Sequence, residues 1–371
     1  ALARKLDVLP GDQVRILALV AGMALWLAAV SSVMRTLIHS RGSSGLNRVK
    51  NSALLGLFRL IARRGDYFFR DRVLSWFAPV AIVTSLIMWL LMFFLAYGLI
   101  MYSTTTLPFM TQLREAGSSL FTLGYASTDR ATLTAMDFVA AATGPIVIGL
   151  LIGYLPTFYS AYQRRESEAT VLLGRGGEPN WAPELLRRHA LVRNIDRLDS
   201  LWPAWERWAA EVGESHTNFP VLIHMRSARP YRNWLISLLC IMDTAAMHLS
   251  LNPQQSQGAA RVALRQGIVC LQELGKVLQI PYDLDPLPET PTAVTVEDWL
   301  EACRMVTDAG YTCQRDPNEA YLHFRGWRAN YEALAFAIAA EIDAVPAPWS
   351  GPRNPPLPVV YPDRQPNRRP S

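Results

Sequence analysis

The sequence predicts an all-α membrane protein: three transmembrane helices with a re-entrant helix and loop, plus a helical cytoplasmic domain. Three observations carry that prediction. Half of the 371 residues are hydrophobic and only 18% are charged, and the apolar residues concentrate in the first 162 positions. Within that stretch three runs reach the roughly 20 apolar residues that a bilayer crossing needs. Beyond it the apolar residues recur at helical spacing, with no alternation of strands and helices. These features exclude a single soluble globule, and equally a transporter filling the whole chain.

The first span covers residues 1–38, with its apolar run from Val14 to Ile38. The run exceeds a signal-peptide core and lacks a small-residue cleavage site, so it reads as a true span. It carries Arg15 and Arg35 only at its ends, so it is no arginine-laddered voltage sensor. The second apolar run is Val73–Met101 and the third Met136–Tyr162. Basic residues set the orientation. Arg41, Arg48, Lys50, Arg59, Arg63, Arg64, Arg70 and Arg72 lie between the first two spans, whereas only Arg114 and Arg130 lie between the next two. By the positive-inside rule the N-terminus is outside, and the first loop and C-terminal half are cytoplasmic, in the inner or plasma membrane. Within the basic segment 39–72, Leu46 to Phe69 is apolar at helical spacing. It is expected either as a helix on the inner leaflet or as an amphipathic cover on the cytoplasmic domain.

The loop between spans two and three reads TTTLPFMTQLREAGSSLFTLGYASTDRATLTAM, residues 104–136. Pro108 suits the first turn of a helix, and Phe109 to Leu120 supplies about three turns, too few to span. A hydroxyl and a glycine-containing run follow, Thr122-Leu123-Gly124-Tyr125-Ala126. A short helix and an extended segment between two full spans is a re-entrant layout, tolerated at membrane depth where it lines a watery cavity or is buried in protein.

On these residues the segment 73–162, about a quarter of the chain, resembles the pore domain of the tetrameric potassium-channel (pore-loop cation channel) superfamily. That family has an outer helix, a pore helix, a TVGYG-like selectivity filter and an inner helix. The resemblance implies that Thr122, Leu123, Gly124, Tyr125 and Ala126 form a filter whose carbonyls and threonine hydroxyl replace the hydration shell of K⁺, or of monovalent cations including Na⁺. It implies a homotetramer, because one loop supplies a quarter of a ring. Two positions depart from the family's pattern: Ala126 stands for its second filter glycine and Ser127 for the aspartate after it. A Cβ where left-handed backbone is needed costs roughly 1–2 kcal/mol, which predicts a distorted outer site and weaker selectivity. Asp129 either restores negative charge at the outer mouth or pairs with Arg130 or Arg114. Arg114 and Glu115 are expected to pair with each other behind the filter.

The third span is punctuated by Gly144, Pro145, Gly149, Gly153 and Pro156. Such residues permit bending, and the resemblance makes them an inner-helix hinge or gate. Close helix packing through Gly149-xxx-Gly153 is the equal alternative.

The cytoplasmic domain, residues 163–343, is expected to be helical over Ala182–His189, Arg193–Val212, Arg229–Leu251, Gln257–Leu278, Val296–Ala309 and Pro317–Asp343. The third of these is too short an apolar run for a fourth span and reads as a core helix. Gly174-Arg175-Gly176-Gly177 lacks the strand and spacing of a phosphate loop. His216, His224, Asp243 and His248 lack the i, i+4 pairing of a metal site. Trp202, Trp205 and Trp208 are expected to pack a core or a subunit interface, and Arg226, Arg229 and Arg232 to form a solvated face, with an anionic ligand or lipid headgroups as the alternative. Cys240, Cys270, Cys303 and Cys313 include no CxxC pair and read as reduced thiols. The tail 344–371 holds nine of the chain's 25 prolines and is expected to be extended or disordered.

No nucleophile–base pair, metal set or cofactor motif points to an enzyme, and the charge map points to lipid, not nucleic acid. The expectation is a homotetrameric cation channel with no cofactor beyond its permeant ion, gated by a ligand or partner of its cytoplasmic domain. The alternative is a non-conducting tetrameric scaffold or receptor that retains the pore-domain fold.

Overall fold

The computed structural model describes residues 11–38, 45–126, 131–193, 195–255 and 257–353. Among them every regular element is helical. Among the described residues four helical stretches are long and apolar enough to cross a membrane: Asp12–Leu37, Tyr67–Thr104, Leu133–Gly176 and Trp234–Leu251. The chain divides into two compact units, one of Ala1–Leu57 with Trp76–Tyr159, the other of Phe58–Ser75 with Ser160–Ser371.

The first unit is built on α1 (Gly11–Leu37), the start of α2 (Gly45–Ala62), α4 (Phe77–Thr104), α5 (Phe109–Leu120) and the first part of α6 (Ala131–Gly176). At 1.5 Å per residue, α1 and α4 are each about 40 Å long, more than the hydrocarbon thickness of a bilayer. They pack closely at Gly22, where an added Cβ would lie 2.8 Å from Ile100 and 3.0 Å from the Ala96 carbonyl. Buried polar groups tie the helices together. Trp89 donates to Ser32 at 3.0 Å, Trp26 donates to the Tyr97 hydroxyl at 3.1 Å, and Tyr97 meets Thr143 of α6 at 2.7 Å. On α4, Val83, Ile87 and Leu91 are spaced by four and exposed, a continuous apolar stripe of the kind lipid covers.

Lys50 of α2 docks on α4 within this unit, donating to the Ala81 carbonyl at 2.6 Å and to Ser85 at 2.5 Å. The expected helix Leu46–Phe69 is two helices: α2 stops at Ala62, and after a turn α3 runs Tyr67–Ser75. Gly65 and Asp66 make the break, the Asp66 carboxylate accepting the Phe69 amide at 2.9 Å. Residues 58–75 belong to the second unit, where they are clamped by ion pairs. Arg59 meets Glu341 at 2.7 Å, Arg70 meets Asp343 at 2.8 Å, and Asp71 pairs with Arg226.

The second unit surrounds α9 (Trp234–Leu251), all 18 residues of which are buried. Asn233 starts it by accepting the Leu235 amide at 2.9 Å, and it closes at Asn252. Around it lie α7 (Ala182–Leu191), α8 (Leu201–Asn218), α10 (Gly258–Leu278), α11 (Val296–Asp308), α12 (Pro317–Ala329) and α13 (Glu332–Glu341). The continuation of α6 to Gly176 packs into the same bundle. Trp202, Trp205 and Trp208 are core residues.

Three expected elements differ. Residues 195–200 form a 3₁₀ turn ahead of α8. The helix expected from Arg229 begins five residues later, where Asn233 caps it. Pro317–Asp343 breaks at Asn330, so that the buried Tyr331 hydroxyl reaches Asp243 at 2.6 Å. The proline-rich tail is docked at its start: Val345 and Ser350 are buried and Trp349 stacks edge-on against Trp181 at 5.6 Å.

Two arginines with fully buried side chains organise this unit. Arg328 pairs with Asp243 and with Glu332 at 2.5 Å and donates to the Trp349 carbonyl. Arg165, on the continuation of α6, pairs with Glu166 at 2.8 Å and donates to the carbonyls of Leu222 at 2.8 Å and Met225 at 2.7 Å. Arg165 also lies 3.1 Å from His216 Nε2. Arg226 and Arg232 are buried in ion pairs with Asp71 and Glu166, which corrects the expected solvated face; only Arg229 is exposed.

Burial, and then the Arg165 charge, hold the His216 imidazole well below its ordinary value; burial lowers His189 and His248 as well. The unfolded chain therefore takes up these protons first. Stability is full above about pH 6.5 and declines as the pH falls through it, by up to about 1.4 kcal/mol per pH unit per histidine. Full-length protein in detergent should melt about 4 °C or more lower at pH 5.5 than at pH 7.5. His216→Gln keeps an acceptor for Arg165 and should flatten that dependence. Melting that does not move with pH would contradict this.

Candidate ion-conduction site

Helix α5 has the boundaries that the sequence predicts, Phe109–Leu120, with Pro108 at its N-cap. Two glycines let it sit tightly on α4. A Cβ on Gly98 would come 2.8 Å from Leu113, and one on Gly117 would come 2.9 Å from Phe94. Its inner face buries Gln112, Glu115, Ala116, Gly117, Ser118 and Leu120.

The C-terminus of α5 shapes the segment that follows. Phe121 N–H bonds to the Gly117 carbonyl at 3.1 Å and Thr122 N–H to the Ser119 carbonyl at 2.9 Å. Leu123 N–H bonds to the Ser118 carbonyl at 2.7 Å, and Ala126 N–H to the Ser118 hydroxyl at 3.0 Å. Thr122 and Gly124 are left-handed, with φ of 52° and 70°. The segment is thus a tight coil instead of the expected extended run.

In a trans peptide the carbonyl points opposite to the next residue's N–H. The amides of Leu123, Gly124 and Ala126 turn back to α5. The carbonyls of Thr122, Leu123 and Tyr125 therefore point away from it, and among the described residues they accept no hydrogen bond. The Thr122 hydroxyl donates to the Phe121 carbonyl at 2.8 Å, which leaves its oxygen lone pairs free to accept. Leu123 and Tyr125 are 63% and 58% exposed, so the segment lies at the surface of the chain. A row of unpaired oxygens of this kind is chemically suited to a hard, dehydrated cation.

The strain expected at Ala126 is absent. Left-handed backbone falls on Thr122 and Gly124, and Ala126 is not among the positive-φ residues. The expected Arg114–Glu115 pair does not form: Arg114 is exposed, and its guanidinium lies over the Tyr125 ring, 5.9 Å from the centroid. Asp129, the expected outer-mouth charge, lies outside the described residues.

Helix α6 passes behind this segment and runs unbroken through Pro145 and Pro156. Its glycines do two different jobs. A Cβ on Gly144 would fall 2.1 Å from the Leu120 carbonyl, so this glycine is where α6 meets the end of α5. Gly149 and Gly153 have nothing within 4 Å of an added Cβ, so among the described residues nothing packs against them. Ser119 donates to Asp137 of α6 at 2.5 Å, a second tie between the two helices.

Sequence reasoning missed Ser118, Ser119, Asp137, Gly98 and Gly117. A serine pair in the last turn of a short helix was the one available signal, and its partners are eight and eighteen residues away. The histidines and Asp243 that were weighed for a metal are dispersed: His216 beside Arg165, Asp243 beside Arg328, His248 beside Tyr311. Comparison of the chain with family models, with curated proteins and with solved structures finds no match.

Proposed function

We propose that the chain is one subunit of a homotetrameric channel for monovalent cations, preferring K⁺ or weakly selective, in the inner or plasma membrane. The observation that carries this reading is the row of Thr122, Leu123 and Tyr125 carbonyls that accept no hydrogen bond among the described residues, turned from α5 by the amides bonded to its end. Four copies around an axis through these oxygens make a ring that one copy cannot.

In this reading α1, α4 and the first part of α6 cross the bilayer, and α5 with residues 121–126 is the re-entrant pore loop. The fourth apolar helix, α9, stays in the bundle, because its whole surface is already covered by protein and it carries the Asp243–Arg328 pair. Residues 58–75 share a compact unit with the C-terminal bundle. The loop after α1 is then on the bundle's side of the membrane, the cytoplasmic side by the charge rule, with the N-terminus outside. The open face of α6 bearing Gly149, Ile152 and Gly153 suits a pore lining or a subunit contact. The bundle would bias α6 through a ligand or partner with different affinity for the open and closed states.

Purified full-length protein in K⁺-loaded liposomes should release K⁺ down its gradient, and Gly124→Val should abolish release. A Cβ-branched residue suits the left-handed φ at that position poorly. Equal release by both proteins would sink the reading. The second reading, a non-conducting tetrameric scaffold, is favoured by one observation: the exposed Arg114 places positive charge beside the candidate filter.

A further inference from the structure

That charge has a definite consequence if the chain conducts. Arg114 is exposed and lies over the half-exposed ring of Tyr125, 5.9 Å from its centroid. Among the described residues it has no ion-pair partner. Its neighbour Glu115 is buried and makes no ion pair with it. A filter assembled from four copies would therefore carry four Arg114 guanidiniums beside its Tyr125 rings, none of them ion-paired among the described residues.

We infer that Arg114 sets the cation throughput of the candidate filter: its fixed positive charge lowers cation occupancy at the Tyr125 end, and so throttles the current. The inference rests on the channel reading and deepens it. The physics is a fixed surface charge next to an ion path, whose reach is the Debye length. That length is about 20 Å at 20 mM salt, about 10 Å at 0.1 M and about 3 Å at 1 M. With the guanidinium about 6 Å from the ring, the charge is felt at the lower two concentrations and largely screened at the highest. A positive ring depletes cations at a pore mouth for the same reason that a negative one concentrates them.

Salt dependence separates charge from support. If Arg114 merely props the Tyr125 ring, its replacement changes current by the same factor at every salt concentration. If the charge acts, the factor fades as salt rises.

The test is single-channel recording from full-length protein in planar bilayers in symmetrical KCl, at about 20 mM and about 1 M, for wild type, Arg114→Lys and Arg114→Gln. The Gln variant should conduct about threefold more than wild type at the lower salt and match it at the higher one, with the Lys variant close to wild type throughout. A Gln-to-wild-type ratio that is the same at both salts, or a Lys variant that behaves like Gln, overturns the inference while leaving the channel reading intact. So does loss of openings in the Gln variant when wild type and the Lys variant conduct, which would make Arg114 a structural prop. Absence of current from all three overturns the channel reading, and this inference with it.

Discussion

Arg328→Met should lower the stability of the helical bundle by about 3–5 kcal/mol, the cost of leaving a buried charge without its partner. The side chain is fully buried, and it neutralises Asp243, whose carboxyl burial pushes upward, together with Glu332. Removing the guanidinium leaves two buried carboxyls facing each other and an orphaned Trp349 carbonyl. For a unit of this size the loss corresponds to a melting point about 10 °C lower, read by near-ultraviolet circular dichroism in detergent. A companion variant isolates the cause. Replacing Arg328, Asp243 and Glu332 together by apolar residues of similar volume removes every charge at once and should recover most of the loss. A drop below about 1 kcal/mol for Arg328→Met alone would show that the network contributes little.

Gly144→Ala should disable the candidate filter without unfolding the chain. The new Cβ would fall 2.1 Å from the Leu120 carbonyl, and the obstacle is backbone. Helices α5 and α6 must separate by about 1 Å, at a cost of about 2 kcal/mol typical of overpacking. The displaced Leu120 carbonyl immediately precedes the residues whose amides aim the Thr122–Tyr125 carbonyls. K⁺ release from liposomes should fall more than about tenfold, since site geometry is unforgiving at the ångström scale. Gly149→Ala is the control: nothing lies within 4 Å of its added Cβ, and the variant should purify and melt like wild type. Wild-type release from Gly144→Ala would mean that the α5–α6 contact does not hold the segment in place.

Much of the fold was legible in local sequence, for identifiable reasons. Long apolar runs are their own signal, so α1, α4 and α6 were found. Pro108 and the length of the following run gave both ends of α5. The burial of α9 accords with Asp243 and His248 within it, but the expectation that its apolar run is too short to span is corrected: the helix is long and apolar enough to cross a membrane. What escaped depends on partners distant in sequence. The basic loop before α4 reads as topogenic charge, yet Arg59 and Arg70 are paired with Glu341 and Asp343, more than 270 positions away. The same pairs explain why the expected continuous helix from Leu46 is split between the two units.

At the candidate site, the residue types of the filter were visible but their geometry was not. Ala126 drew attention as a missing glycine, whereas the left-handed positions are Thr122 and Gly124. Ser118 and Ser119 carry no signal of their own in the sequence, but they hold the Thr122, Leu123 and Ala126 amides and reach Asp137 on α6. Arg114 and Glu115 are adjacent in sequence and were expected to pair, but consecutive residues on a helix point about 100° apart. One is buried and the other covers Tyr125.

The most direct test of the central claim is the reversal potential of single-channel currents from the purified protein, with K⁺ on one side of a planar bilayer and Na⁺ on the other. The account predicts discrete openings that reverse at a potential displaced toward the K⁺ equilibrium value, with Gly124→Val silent. Bilayers that stay silent for wild type and for variants at Pro145 or Gly149 chosen to release α6, or currents carried by anions, would contradict it.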